Sequence, residues 1–99
     1  VFMPYVLKAN RNSIEKKLIS VSRYLGLSNQ SYEGFMEWIL SLRGSLKIPH
    51  TLKELIKEDI KFEQMSKMAF VDPSTGGNPI KFNESDFLKL YRDSYEGNL

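Results

Sequence analysis

The segment Ser31-Tyr32-Glu33-Gly34-Phe35-Met36-Glu37-Trp38-Ile39-Leu40-Ser41-Leu42-Arg43-Gly44 decides the fold class of this chain. Tyr32, Phe35, Met36, Ile39, Leu40 and Leu42 form a broad apolar face at helical spacing, with Trp38 at one margin. Ser31 stands where an N-cap belongs, and Gly44 where a helix stops. Burying each large side chain contributes about 1.5–3 kcal/mol before entropy is subtracted. The segment is therefore expected to be the central helix.

Working upstream, Phe2, Val6 and Ala9 share one helical face, and Pro4 suits only a first turn. Asn12 or Ser13 is the expected cap of a second helix. Its Ile14, Leu18, Val21 and Leu25 form a narrow stripe, Gly26 follows as a left-handed cap, and Glu15, Lys16, Lys17 and Arg23 face solvent. Working downstream, Thr51-Leu52-Lys53-Glu54 has capping-box spacing, opening a short helix that carries Leu52, Leu55 and Ile56. Glu58-Asp59 then supplies negative charge to the first turn of another helix. That helix presents Ile60, Met65, Met68, Ala69 and Val71 on a wide face and stops at Asp72-Pro73. Asn83-Glu84-Ser85-Asp86 repeats the cap-plus-carboxylate pattern. Phe87, Leu90, Tyr91 and Tyr95 make the last stripe, and Gly97 ends it. There is no internal repeat, low-complexity tract or two-residue hairpin signal. The reading is all-α: residues 1–99 form a single helical domain, a compact bundle of about five to six helices.

Composition narrows the function classes. The chain has 99 residues, 41% hydrophobic and 12% aromatic, enough for a modest core in one domain. Fourteen basic residues stand against 12 acidic ones, so the net charge is only +2. Lys16-Lys17 is the only adjacent basic pair, which argues against a nucleic-acid surface with converging cations. With no cysteine there is no disulfide, thiolate metal site or thiol nucleophile, and a reducing, cytoplasmic location is expected. No apolar run approaches the roughly 18 residues of a membrane span. The chain opens Val1-Phe2 without an initiator methionine, so a piece of a longer protein is expected.

Between the last two helices lies Asp72-Pro73-Ser74-Thr75-Gly76-Gly77-Asn78-Pro79. A Gly/Pro/Asn/Asp cluster is first of all a turn. This one is more elaborately composed than a connector needs. Two prolines restrict the backbone, while Gly76 and Gly77 permit left-handed angles and remove side chains where something comes close. Ser74 and Thr75 add hydroxyls and Asp72 a carboxylate. The glycines match no phosphate-binding pattern, so the loop reads as one wall of a cleft whose other wall lies elsewhere.

Nothing else in the chain assembles an active site unaided. His50 is the only histidine, and no His-x-x-x-His or Glu-x-x-His spacing gathers metal ligands. Set between Pro49 and the Thr51 cap, it reads as structural or solvent-facing. Glu58 and Asp59 are sequence neighbours and do not share a helical face. Met36, Met65 and Met68 read as core.

Taken in order, three segments resemble the iron-containing (group III) alcohol dehydrogenases, specifically their C-terminal helical domain of dehydroquinate synthase-like type. They are Phe2-Met3-Pro4-Tyr5-Val6-Leu7-Lys8-Ala9-Asn10, Ile48-Pro49-His50-Thr51-Leu52-Lys53-Glu54-Leu55, and Met68-Ala69 through Asn78-Pro79 continuing to Asp86, Leu90 and Tyr91. Their order and spacing extend over nearly the whole chain. The resemblance implies a parent enzyme of two domains: an N-terminal α/β domain binding NAD or NADP, and a helical domain holding a divalent metal, Fe(2+) or Zn(2+), through one aspartate and three histidines. It implies a hydride transfer between a small alcohol or aldehyde and the nicotinamide, assisted by the metal as Lewis acid. By that resemblance the four ligands all precede Val1, so this chain is expected to hold no metal and no catalytic residue, and alone to be inactive. Its nearest approach to the chemistry is the loop, with Asp72, Ser74, Thr75, Gly76 and Gly77 lining the substrate and cofactor cleft. Asp72 caps or orients the loop rather than acting as base. The partner is the N-terminal remainder of the parent. Apolar surface left uncovered without it favours self-association.

Two other readings use the same residues. A free-standing helical interaction module needs only the amphipathic pattern, and holds a partner helix in a groove. A helix-turn-helix DNA binder needs a basic recognition helix, but Glu58–Val71 mixes acidic residues with its lysines.

Overall fold

The computed structural model describes all residues 1–99. It contains five helices and no strand: α1 (Met3–Ala9), α2 (Arg11–Tyr24), α3 (Tyr32–Ser45), α4 (Phe62–Val71) and α5 (Glu84–Glu96). Single 3₁₀ turns occupy Leu52–Glu54 and Pro73–Gly77. The all-α reading and the helix number agree with this architecture.

The helices form two pairs. In the first, α2 lies on α3, and Leu18, Tyr32 and Phe35 are buried with Leu7, Ile14, Leu27, Met36, Trp38 and Ile39 packed around them. In the second, α4 lies on α5 through an edge-on contact of Phe62 with Tyr95, 5.5 Å between ring centroids. α1 bridges the pairs: it touches α2 and α3, and reaches α5 where Phe2 meets Tyr91 edge-on at 5.8 Å. The Leu52–Glu54 turn seats buried Leu52 against α5.

Three serines share the tightest places with Pro4 and Tyr5. Ser22 and Ser94 are wholly buried and Ser66 nearly so. Each donates its hydroxyl to a carbonyl of the preceding turn, Leu18 at 2.8 Å, Tyr91 at 2.9 Å and Phe62 at 2.7 Å. The hydroxyl is thus satisfied locally, and a small side chain lets neighbouring backbone come close.

The domain is thin. Its extents are 41 × 29 × 19 Å, and the shortest is about two helix diameters. The radius of gyration, 14.5 Å, exceeds the roughly 13 Å typical of a chain this long. Thirteen residues are buried, so several stripe residues have no cover from this chain.

Local signals set several boundaries as expected. Ser31 accepts the Gly34 amide at 3.0 Å and starts α3. The Thr51–Glu54 and Asn83–Asp86 capping boxes both form. Gly26 and Gly97 take positive φ, 67° and 85°.

Other expectations need correction. The second helix starts at Arg11, with Asn10 rather than Asn12 or Ser13 before it, and no side chain caps it. A capped N-terminus is worth about 1 kcal/mol, which α2 goes without. Val21 and Leu25 on its stripe are exposed, because α3 covers only the Leu18 side. Gly44 does not end α3: the helix runs to Ser45, and Lys47, at φ 55°, takes the left-handed position. The helix expected after Thr51 is one 3₁₀ turn, leaving Leu55 and Ile56 exposed. Glu58 and Asp59 precede α4 altogether, and Glu63 is the acidic residue in its first turn. Met68 and Val71 are 63% and 74% exposed, since only one side of α4 meets α5.

Candidate functional site

α4 ends where Pro73 removes a donor and bends the chain, and the Asp72–Pro79 segment then makes a tight, self-bonded turn. Asp72 adopts extended backbone angles, and its carboxylate accepts the Ser74 amide at 2.8 Å and the Ser74 hydroxyl. Those donors, hydroxyl first and amide second, hold the Asp72 carboxyl below the ordinary aspartate range. Thr75 donates its hydroxyl back to the Ala69 carbonyl on α4. At the far end Asn78 donates its amide N–H to the Thr75 carbonyl at 3.1 Å, and its side chain exchanges hydrogen bonds with Asn10.

The turn stands as a ridge between two open hollows of about 440 Å³ each. On one side Ser74 faces Met65, Met68, Ala69 and Tyr91. On the other Gly76 and Asn78 face Phe70, Lys81 and Phe82. Asp72 and Thr75 border both. Each hollow therefore combines an apolar or aromatic wall with a few polar groups, and the second adds the Lys81 ammonium.

The structure brings Asp72, Ser74, Thr75 and Gly76 to the hollows, while Gly77 lies in the turn without lining either. Neither glycine uses a left-handed angle, which corrects that part of the sequence expectation. The turn is 3₁₀, a conformation open to any residue. No atom of the chain lies within 4 Å of a Cβ added at Gly76 or Gly77, so the outer face of the ridge is open. Met65 and Met68, expected in the core, form a wall of the first hollow. Lys81, Phe70, Phe82 and the Asn10–Asn78 pair escaped sequence reasoning, since no local pattern links residues 68 positions apart.

The residues present do not fit a metal ion. No cluster of three His, Cys, Asp or Glu side chains exists. His50 turns Nδ1 toward the guanidinium of Arg43, a neighbour that opposes a bound cation.

A larger hollow, about 570 Å³, lies between α1 and α3, lined by Arg11, Tyr32, Glu33, Met36 and Leu99 among others. The Arg11 guanidinium stacks 4.1 Å from the Tyr32 ring centroid and pairs with Glu15 at 2.8 Å and Glu33 at 2.6 Å. These charges satisfy one another.

The comparisons with known proteins bear on what this arrangement is. The family model described as "Fe-containing alcohol dehydrogenase family, C-terminal" matches residues 1–95. Among curated proteins, alcohol dehydrogenase 4 of Saccharomyces cerevisiae is 26% identical over 98 residues, covering 97% of this chain and 26% of that protein. An alcohol dehydrogenase of Thermococcus barophilus is 28% identical over 100 residues, covering 96% and 26%. A 1,3-propanediol dehydrogenase of Citrobacter freundii is 24% identical over 101 residues, with the same shares, 96% and 26%. The chain thus spans about a quarter of the length of the curated relatives it matches. No solved structure matches it significantly. The family match runs through every helix and the loop, and on that ground the chain belongs to the iron-containing alcohol dehydrogenase family, as its C-terminal helical part.

Proposed function

We propose that the protein carrying this chain is an oxidoreductase that moves hydride between a small alcohol or aldehyde and NAD or NADP, and that residues 1–99 are a helical fragment of a two-domain enzyme. A divalent metal, iron or zinc, would polarise the substrate oxygen, held by residues outside this chain. These residues supply one wall of the cleft. Asp72 sets the turn, Ser74 and Thr75 present small polar groups, and Gly76 and Gly77 leave room for another body to approach. Lys81 offers a cation beside an aromatic wall, a setting suited to an anionic cofactor group.

The observation that carries this reading is the coincidence of the family match with the open ridge. The loop is rigidly bonded inward while its outer face meets nothing in this chain. The relatives' names, alcohol dehydrogenase and 1,3-propanediol dehydrogenase, support an alcohol or aldehyde as the substrate class. No helix is long and apolar enough to cross a membrane. The cytoplasmic location we assign is a separate part of the proposal, in keeping with the cysteine-free composition. No nucleic acid is among its partners, which are the N-terminal remainder and the alcohol or aldehyde substrate.

The test compares the full gene product with the 99-residue chain. Each is loaded with ferrous iron or zinc and followed by NAD(P)H absorbance over a panel of alcohols and aldehydes. Metal-dependent turnover by the intact protein alone is expected. Its absence, with metal bound, would overturn the reading and leave a helical interaction module.

That alternative draws on one observation, the uncovered apolar face of Met3, Leu42, Leu46 and Ile48 around a groove of about 320 Å³. In the dehydrogenase reading the same face is covered by the remainder of the enzyme, and the chain alone self-associates through it. Sedimentation of the 99-residue chain as a strict monomer would count against this.

A further inference from the structure

Asn10 stands at the corner between α1 and α2, where asparagine ordinarily turns its oxygen onto the first amides of the following helix. Here it does not, although it is 2% exposed. Its amide faces the loop instead. Asn10 Nδ2 donates to Asn78 Oδ1 at 2.9 Å, and Asn78 Nδ2 donates to Asn10 Oδ1 at 2.9 Å. The second Nδ2 proton goes to the Val6 carbonyl at 3.0 Å, and Oδ1 also accepts the Ile80 amide at 3.3 Å.

Both donors and both acceptor positions of the Asn10 side chain are therefore occupied. Aspartate at this position keeps the acceptors and loses the donors. Leucine loses all four. A side chain that forgoes its local role to complete a buried network across the fold breaks a local rule for a reason elsewhere.

The reason lies in how the loop is attached. The Pro73–Gly77 turn packs on α4, and its entrance is bonded to α4 through Thr75 and the Ala69 carbonyl. Its exit at Asn78 is tied to the α1–α2 corner by the reciprocal amides. One end thus follows the α4–α5 pair, and the other follows the bridge to the α2–α3 pair.

We propose that Asn10 is a positioning residue for the Asp72–Pro79 loop, acting through Asn78. It fixes the exit of the ridge relative to α1, and with it the placement of Ser74 and Thr75 at the cleft. The proposal rests on the cleft reading of the loop for its functional consequence, but its structural part stands independently.

The test uses the full gene product with Asn10→Ala, Asn78→Ala, the double variant and Asn10→Asp. Amide hydrogen exchange is followed by mass spectrometry and, in parallel, turnover with alcohol and NAD(P). Exchange over residues 72–80 is expected to rise about tenfold in either alanine variant, with α3 and α5 unchanged. KM is expected to rise about tenfold while kcat changes less than about threefold, since the loop is a wall and not a reacting group. The double variant should be no worse than either single one, because the two amides act as one unit. Asn10→Asp keeps both acceptor contacts but sets a buried carboxylate oxygen against the Val6 carbonyl and Asn78 Oδ1, so its exchange over 72–80 should rise at least as far as in the alanine variant. Asn78→Ala keeps the test decisive if Asn10→Ala fails to fold, as position 78 is only half-buried.

Unchanged exchange over 72–80 in the alanine variants overturns the proposal. So does a uniform rise over all helices, with kcat falling as the folded fraction and KM constant. If wild type itself shows no turnover, the dehydrogenase reading fails, and the exchange result alone decides whether Asn10 positions the loop.

Discussion

The phenol of Tyr5 on α1 donates a 2.7 Å hydrogen bond to the carbonyl of His50, which lies 45 residues on, between α3 and the Leu52–Glu54 turn. Tyr5 is almost fully buried. Arg43 on α3, also buried, reaches the His50 ring and donates to the Val1 carbonyl at 3.3 Å. This junction joins α1, α3 and the chain leading to the second helix pair. The single histidine, itself exposed, thus meets this junction through its carbonyl and ring.

Replacing Tyr5 with phenylalanine keeps the ring and removes the donor. A net loss of about 1 kcal/mol of stability is expected, which for a domain of this size lowers Tm by roughly 4–8 °C. Urea denaturation of the variant reads it. An unchanged midpoint would show that the hydroxyl contributes nothing to the junction.

The Asp72 turn carries a pH signature. Its carboxyl is held below the ordinary aspartate value by the Ser74 hydroxyl and amide. The folded form therefore favours the carboxylate. Its contribution is complete above the unfolded value of about 4 and is lost as pH falls through the lower, folded one. The Ser74 amide resonance should report this, titrating with a midpoint below that of an unstructured aspartate. In Asp72→Asn the same resonance should not titrate. A midpoint at or above the unstructured value would remove the cap from the account of the loop.

Glycines provide a contrast. A Cβ at Gly34 would lie 2.0 Å from the Asn29 carbonyl oxygen, a clash with backbone that side-chain motion cannot relieve. Gly34→Ala should cost about 3 kcal/mol or prevent folding. Gly76→Ala and Gly77→Ala meet open space at ordinary backbone angles. They should alter stability by less than about 0.5 kcal/mol, while Gly76→Ala lowers turnover of the full enzyme if the ridge faces a ligand. Equal turnover at equal stability would detach Gly76 from the cleft.

Lys47 holds a left-handed angle that favours glycine. Lys47→Gly should raise stability by about 0.5–1 kcal/mol, offset in part by greater freedom of the unfolded chain. A loss of stability in thermal melts would show that the lysine stem makes a contact worth more than the strain.

Much of this was legible in the sequence. Helix periodicity, Ser31, the two capping boxes and the glycines at 26 and 97 are local signals, set by residues within one or two turns, and each agrees with the fold. The stripe residues were less so. Val21, Leu25, Met68 and Val71 carry the same pattern as Leu18 and Phe35, yet are exposed. Periodicity identifies an apolar face and not whether a neighbour from the same chain covers it. The buried serines carry no apolar signal at all, since their burial comes from close approach between elements.

The loop divides in the same way. Its composition marked Asp72 through Pro79 as an elaborate turn carrying hydroxyls and a carboxylate, because proline, glycine and a short carboxylate act on the backbone within a few residues. What only the tertiary structure decided is where that turn is anchored and which walls stand beside it. Met65 from α4, Tyr91 from α5, and Lys81 and Phe82 from the segment before α5 reach the hollows, and Asn10 meets Asn78 across 68 residues. Local chemistry thus determined where the five helices and most of their caps and turns fall. The site's geometry waited on packing, because contacts between distant residues depend on how whole helices settle against one another.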